Sequence, residues 1–131
     1  ALVRATEAQL AAQDQPDLQA IGRRLADGSA ALDAVVGYVL ANIKSDIKGV
    51  FAGSVPYLKL AGIVLGGWQM GRAALAAQRM LDAGQGDAAF LQAKIVTARF
   101  FADHLLSQAS GMASAIVDGS GAVLALDEAQ F

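Results

Sequence analysis

The sequence YLKLAGIVLGGWQMGRAALAAQRMLD, residues 57–82, repeats its apolar side chains with a spacing of three or four residues. This spacing is the period of an α-helix, and the β-branched alternation typical of a strand is almost absent. Pro56 suits the first turn of a helix, and Ser54 suits the N-cap in front of it. The sequence therefore predicts a long helix over about residues 55–83. Its apolar stripe, interrupted by Arg72 and Arg79, consists of Leu58, Ala61, Leu65, Trp68, Leu75 and Leu81.

The same spacing extends outward from this stretch in both directions. Pro16 is placed to begin a helix, Gly84 suits a left-handed C-cap, and Asp87 suits the N-cap of the next helix. Residues 45–53, which contain two glycines, are expected to form a connection. The additional helices are predicted at about residues 2–13, 16–44 and 88–117.

These elements predict an all-α fold, an up-down bundle of three long helices plus a shorter N-terminal helix. We expect residues 1–131 to form a single domain. The apolar spacing is already present at Leu2 and Val3, and we interpret the chain as part of a longer protein. In the tail, Val123, Leu124 and Phe131 are expected to fold back onto the bundle or onto a partner.

The central helix carries four glycines, which allow a neighbouring helix to approach closely. The same spacing mediates helix dimerisation in membranes, so a membrane-associated dimer is an alternative. Residues 60–71 are an uncharged run of 12, whereas a span needs about 20 residues. We therefore favour tight packing in a bundle without a membrane span. The glycines are Gly62, Gly66, Gly67 and Gly71.

Composition excludes several classes of function. The chain has no cysteine, which excludes disulfides, thiolate metal sites and cysteine nucleophiles and is compatible with a cytoplasmic location. The net charge of −2 and the scattered Lys and Arg residues argue against nucleic-acid binding. Arg23 and Arg24 form the only adjacent basic pair, and we assign it to a solvated helix face.

Residues able to carry chemistry are few. The single histidine, His104, cannot form a His pair for a metal, and its neighbour Asp103 points elsewhere on a helix. No glycine-rich dinucleotide motif is present. Trp68 lies on the apolar stripe and is expected in the core, while Arg99 and Asp103 are spaced to pair along one helix. We predict no catalytic, cofactor-binding or metal-binding residue in this chain.

Two motifs resemble a known protein family. The first is YLKLAGIVLGGWQMGRAA, residues 57–74, and the second is FLQAKIVTARFFADHLL, residues 90–106. Together they are similar to the extra C-terminal domain of a bacterial branch of the acyl-CoA dehydrogenase family, which includes enzymes for 3-methylmercaptopropionyl-CoA. Leu91, Phe101 and Asp103 stand where that pattern more often has Tyr, Tyr and Glu.

The resemblance implies that the FAD-binding site, the acyl-CoA cleft and the catalytic base lie upstream, in a dehydrogenase core of the same chain. Residues 1–131 would then be a structural or oligomerisation domain of a cytoplasmic, homodimeric flavoenzyme. The motif residues that could reach such a partner are Tyr57, Arg72, Lys94, Arg99 and His104, and each could equally serve packing or hydrogen bonding within the domain. A free-standing helical module that binds lipid, acyl groups or a partner helix is the alternative.

Overall fold

The computed structural model describes residues 1–130, which contain helices and turns and no β-strand. The prediction of an all-α fold is confirmed. Two short 3₁₀ turns cover Leu106–Gln108 and Glu128–Gln130. The helices are α1 (Leu2–Ala11), α2 (Pro16–Asn42), α3 (Ile47–Ala52), α4 (Ser54–Asp82), α5 (Ala88–His104), α6 (Ala109–Asp118) and α7 (Ser120–Val123).

Helices α2, α4 and the α5–α6 pair form the bundle. Gly28 of α2 lies against Val64 of α4, while Gly71 of α4 lies against Ile21, so these two helices are antiparallel. Helices α5 and α6 run antiparallel to α4, with Gly66 against Phe101 and Gly53 against Ile116. Helix α1 packs across α2 and α4.

Several predicted helix ends are confirmed. Pro16 begins α2, and the Gln15 side chain accepts a hydrogen bond from the Leu18 amide at 2.8 Å. Asp87 caps α5 by accepting from the amides of Ala89 and Phe90. Gly84 has a φ of +64°, in the left-handed region that glycine adopts without steric cost. The prediction of Ser54 as the N-cap of α4 is wrong, because Gly53 is the N-cap and Ser54 already belongs to the helix.

The predicted continuous helix over 88–117 is interrupted. Helix α5 ends at His104, a 3₁₀ turn follows, and α6 begins at Ala109. We attribute the break to the Leu106 side chain, which is 2% exposed and inserts between α2 and α4 at two glycines. A Cβ atom on Gly28 would lie 3.0 Å from Leu106 Cδ2, and one on Gly67 would lie 2.6 Å from Leu106 Cδ1.

The predicted connection over 45–53 contains the short helix α3. Asp46 begins it by accepting a hydrogen bond from the Gly49 amide at 3.0 Å. Gly49 and Val50 are buried, so the segment contributes to the core. The two glycines predicted a loop, but the Asp46 cap and the burial of Val50 favour a helical turn.

Of the four glycines assigned to tight packing, three meet a neighbour. Gly66, Gly67 and Gly71 lie against Phe101, Leu106 and Leu10, at distances from a Cβ position of 3.0, 2.6 and 3.0 Å. Gly62 has nothing within 4 Å of its Cβ position, so that part of the prediction is wrong within this domain. In the tail, Val123 and Leu124 remain 67% and 49% exposed, and Phe131 lies outside the described residues.

Candidate interaction surfaces

A network of charged side chains joins α2 to α5. Arg99 donates from Nε to Asp103 at 2.6 Å and from Nη1 to Asp17 at 3.0 Å. Arg24 Nε lies 3.6 Å from the other carboxylate oxygen of Asp103. The predicted pair of Arg99 and Asp103 is therefore confirmed, and it also ties the start of α2 to α5.

The network shifts the pKa values of two of its members, Asp103 and Arg99. The hydrogen bond from Arg99 is the main cause that lowers the pKa of Asp103 below its ordinary value, and the positive charges of Arg99 and Arg24 add to it. Partial burial opposes this shift by disfavouring the carboxylate. The same hydrogen bond raises the pKa of Arg99.

Replacement of Asp103 by Asn is expected to lower the free energy of unfolding by less than about 1 kcal/mol at pH 7, because the pair is partly exposed to solvent. The folded-state pKa of Asp103 is depressed, so its stabilisation is present in full above the unfolded-state pKa of about 3.9. The contribution is lost as the pH falls below that value. Urea denaturation of both proteins at pH 7 and pH 3 should therefore show a smaller difference at pH 3. An equal difference at the two pH values would contradict this role of Asp103.

A second polar cluster lies where α1 crosses α4. Trp68 is half-buried against the core and donates from Nε1 to the Thr6 hydroxyl at 2.9 Å. The Arg72 guanidinium lies 5.2 Å from the centre of the Trp68 ring and donates to Gln69 at 3.1 Å. Arg72 and Arg79 line a groove of about 620 Å³ between α1 and α4. Trp68 was expected in the core; it is only partly buried, packs against the core and also anchors α1 through Thr6.

The remaining sequence-predicted interface residues lie elsewhere on α4 and α5. Lys94 is exposed, with its ammonium 5.1 Å from the Phe90 ring. His104 is exposed at the end of α5 and packs on Phe100 with ring centres 4.4 Å apart. Tyr57 is half-buried against the core. Arg72, Lys94 and Arg99 line three different grooves, so the five residues do not converge on one site, and their proposed contact with a partner stays a prediction.

The sequence interpretation missed two features of these surfaces. Arg24 was assigned to a solvated face, yet it joins the network around Asp103. Leu40 was assigned no role and is 73% exposed. Leu58 and Leu65 belong to the apolar stripe that was expected to face the core, yet they are 73% and 49% exposed, so that part of the prediction is wrong. A signal for Leu40 was available, because it lies four residues after Val36 and therefore continues the apolar face of Val36 along α2.

Within residues 1–130, no three or more His, Asp or Glu side chains are grouped so that they could hold a metal ion. In the same range, no helix combines the length and the apolar character that crossing a membrane requires. No buried polar side-chain atom among the described residues lacks a hydrogen-bond partner.

Comparison with known proteins gives a consistent result. A family model described as "Acetyl-CoA dehydrogenase C-terminal like" matches residues 1–127. The chain is 42% identical over 123 residues to 3-methylmercaptopropionyl-CoA dehydrogenase of Ruegeria pomeroyi, which covers 94% of this chain and 21% of that protein. It is 31% identical over 116 residues to broad-specificity linear acyl-CoA dehydrogenase FadE5 of Mycobacterium tuberculosis, which covers 85% of this chain and 19% of that protein. The chain therefore spans about a fifth of the length of these relatives.

Proposed function

We propose that this chain, which belongs to the acetyl-CoA dehydrogenase C-terminal-like family, is the non-catalytic C-terminal domain of an FAD-dependent acyl-CoA dehydrogenase. The parent enzyme would form the α,β double bond of an acyl-CoA thioester. This domain would stabilise the parent's fold and assembly, as a homodimer in the cytoplasm.

The observation that carries the proposal is the extent of the match. The family model covers residues 1–127, and the aligned part of the first relative corresponds to its C-terminal region. The resemblance of the two motifs, residues 57–74 and 90–106, points to the same family. A domain that retains nearly its whole length in such relatives is expected to keep its place in the chain as well.

The grooves described above favour a flavin site outside this domain. Its grooves lie open on the bundle surface, and no buried polar atom in the described range is left without a partner that a flavin could satisfy. The charged side chains Asp17, Arg24, Arg99 and Asp103 are engaged with one another across α2 and α5. We propose that flavin binding and the acyl-CoA cleft belong to the upstream part of the parent chain, as the resemblance to the dehydrogenase family implies.

The test compares the full-length parent with a variant that lacks residues 1–131. We expect the parent to show flavin absorbance and to reduce an electron-accepting dye when supplied with acyl-CoA. We expect the truncated variant to retain its flavin site but to lose stability or change its mass in light scattering. A parent without flavin, or a truncation that changes neither stability, mass nor activity, would contradict the proposal.

The alternative is a free-standing module that binds lipid or acyl groups, and the exposed side chains of Leu40 and Leu58 are the observation in its favour. Such a module would bind vesicles or acyl-CoA as residues 1–131 alone, and binding would protect those two leucines. The match to about a fifth of a longer enzyme favours the dehydrogenase domain instead.

A further inference from the structure

Helix α1 occupies one half of a groove between α2 and α4. On the α2 side, Arg4 bonds to Asp33 at 2.6 Å, and Glu7 accepts from Ser29 at 2.5 Å. Leu10 then packs on Gly22, so α1 runs antiparallel to α2.

The α4 side of the groove holds α1 through the Trp68 to Thr6 hydrogen bond and through the contact of Leu10 with Gly71. Helix α1 therefore runs in the same direction as α4. Its first residues lie near the middle of both long helices, and the other half of the groove extends beyond its N-terminal end.

The faces that contact α1 continue into this second half, and there they are apolar. On α2, the step of three or four residues that links Ser29 to Asp33 leads next to Val36 and Leu40, which are 37% and 73% exposed. On α4, the same spacing runs backward from Trp68 through Leu65 and Ala61 to Leu58. Leu65 is 49% exposed and Leu58 is 73% exposed. We call the four exposed residues, Val36, Leu40, Leu58 and Leu65, the open groove.

Glycines mark both halves of the groove in the same way. Under α1, a Cβ atom on Gly22 would lie 2.9 Å from Leu10, and one on Gly71 would lie 3.0 Å from it. In the open groove, each wall again carries a glycine, Gly37 on α2 and Gly62 on α4, and neither has an atom within 4 Å of its Cβ position. In the covered half, a helix therefore packs against two glycines, one on α2 and one on α4. The open half has the same arrangement of glycines, but no helix of this domain packs against them.

We propose that the open groove is covered by the segment of the parent chain that precedes Ala1, continuing α1 upstream as a helix for about two turns. This inference rests on the proposed function, since the relatives carry most of their length outside the matched region. In the first of these relatives the matched region is C-terminal and makes up 21% of the protein, so most of its chain precedes the residues that correspond to α1.

The register follows from the contacts already made. Because Arg4 pairs with Asp33 and Glu7 with Ser29, each step backward along α1 corresponds to a step forward along α2. Extended by this rule at 1.5 Å per residue, the residue about four positions before Ala1 lies opposite Leu40. The occupant is therefore expected to present an apolar stripe in phase with Val3, Thr6 and Leu10 of α1.

The experiment uses the full-length parent with Leu40→Cys, alone and combined with a cysteine about four positions before Ala1. We expect maleimide to label the single cysteine at least about tenfold more slowly in the native protein than in denaturant, after correction for intrinsic reactivity. We expect the cysteine pair to form a disulfide within one chain on mild oxidation, identified by peptide mass spectrometry. Ser114→Cys on α6, combined with the same upstream cysteine, is the matched control and should not form it.

A second pair of variants tests whether the open groove itself binds the upstream helix. Gly37→Trp places a bulky side chain in the open groove without meeting an atom of this domain, so it should abolish the disulfide and restore fast labelling at Leu40→Cys. Gly111→Trp on α6, which also has nothing within 4 Å of its Cβ position, should leave both unchanged.

Fast labelling of Leu40→Cys in a native, flavin-containing parent would overturn the inference while leaving the proposed function intact. A disulfide that joins two chains would assign the groove to a second copy. Protection that appears only when lipid vesicles are added would assign it to a membrane surface. Either result would overturn the upstream helix as the occupant.

Discussion

Leu106→Ala is expected to lower the free energy of unfolding by about 3–5 kcal/mol, in the upper part of the range for buried leucines. The side chain is 2% exposed and lies between Gly28 and Gly67. Neither glycine has a side chain that could relax into the vacated space, so the cavity would stay open.

Urea denaturation of the 131-residue chain measures this loss. Leu105→Ala is the matched control, because the neighbouring Leu105 is only partly buried and its truncation should cost clearly less. A loss below about 1.5 kcal/mol for Leu106→Ala would show that α2 and α4 close around the gap, contrary to our expectation.

Gly67→Ala is expected to destabilise the fold by about 1–2 kcal/mol, although alanine has the higher helix propensity by about 1 kcal/mol. The new Cβ would lie 2.6, 2.8 and 2.9 Å from three atoms of the Leu106 side chain. Leu106 has little room to move away, because it is 2% exposed and its Cδ2 already lies so close to Gly28 that a Cβ atom there would be 3.0 Å from it. Gly62→Ala in the same helix is the control, and it should stabilise by about 0.5–1 kcal/mol because its Cβ meets nothing.

The two substitutions should also be strongly coupled. In the Leu106→Ala background, the added methyl of Gly67→Ala fills part of the cavity and no longer meets Leu106, so it should raise stability. A double-mutant cycle by urea denaturation measures this change of sign. Additive losses would show that Gly67 and Leu106 do not share one packing site.

The sequence predicted the long helices well, because each combined a sustained apolar period with a residue that caps or ends it. Pro16, Gly84 and Asp87 act locally, through their own backbone or side chain, and this chemistry is readable from the sequence. Helix α3 was missed because six residues are too few to show a period, although Asp46 was an available N-cap signal.

The break after His104 could not be read in the same way. No proline or glycine lies between Leu105 and Gln108, and the apolar spacing continues through the break. We attribute it to the packing of Leu106 against two glycines that are distant from it in sequence, Gly28 and Gly67, and a tertiary contact of this kind leaves no local signal. The same holds for the charged network: the spacing of Arg99 and Asp103 predicted their pair, but Asp17 and Arg24 join it only through the fold.

The break at Leu106 also has a consequence for the order in which the chain folds. The apolar spacing of residues 88–117 favours one continuous helix, whereas the contacts of Leu106 form only once α2 and α4 are in place. Loop-closure entropy delays contacts between residues so far apart along the chain. We therefore expect the break to form late in folding, after a helix that still runs through residues 105–108 has given up about one turn of hydrogen bonds so that Leu106 can pack between α2 and α4.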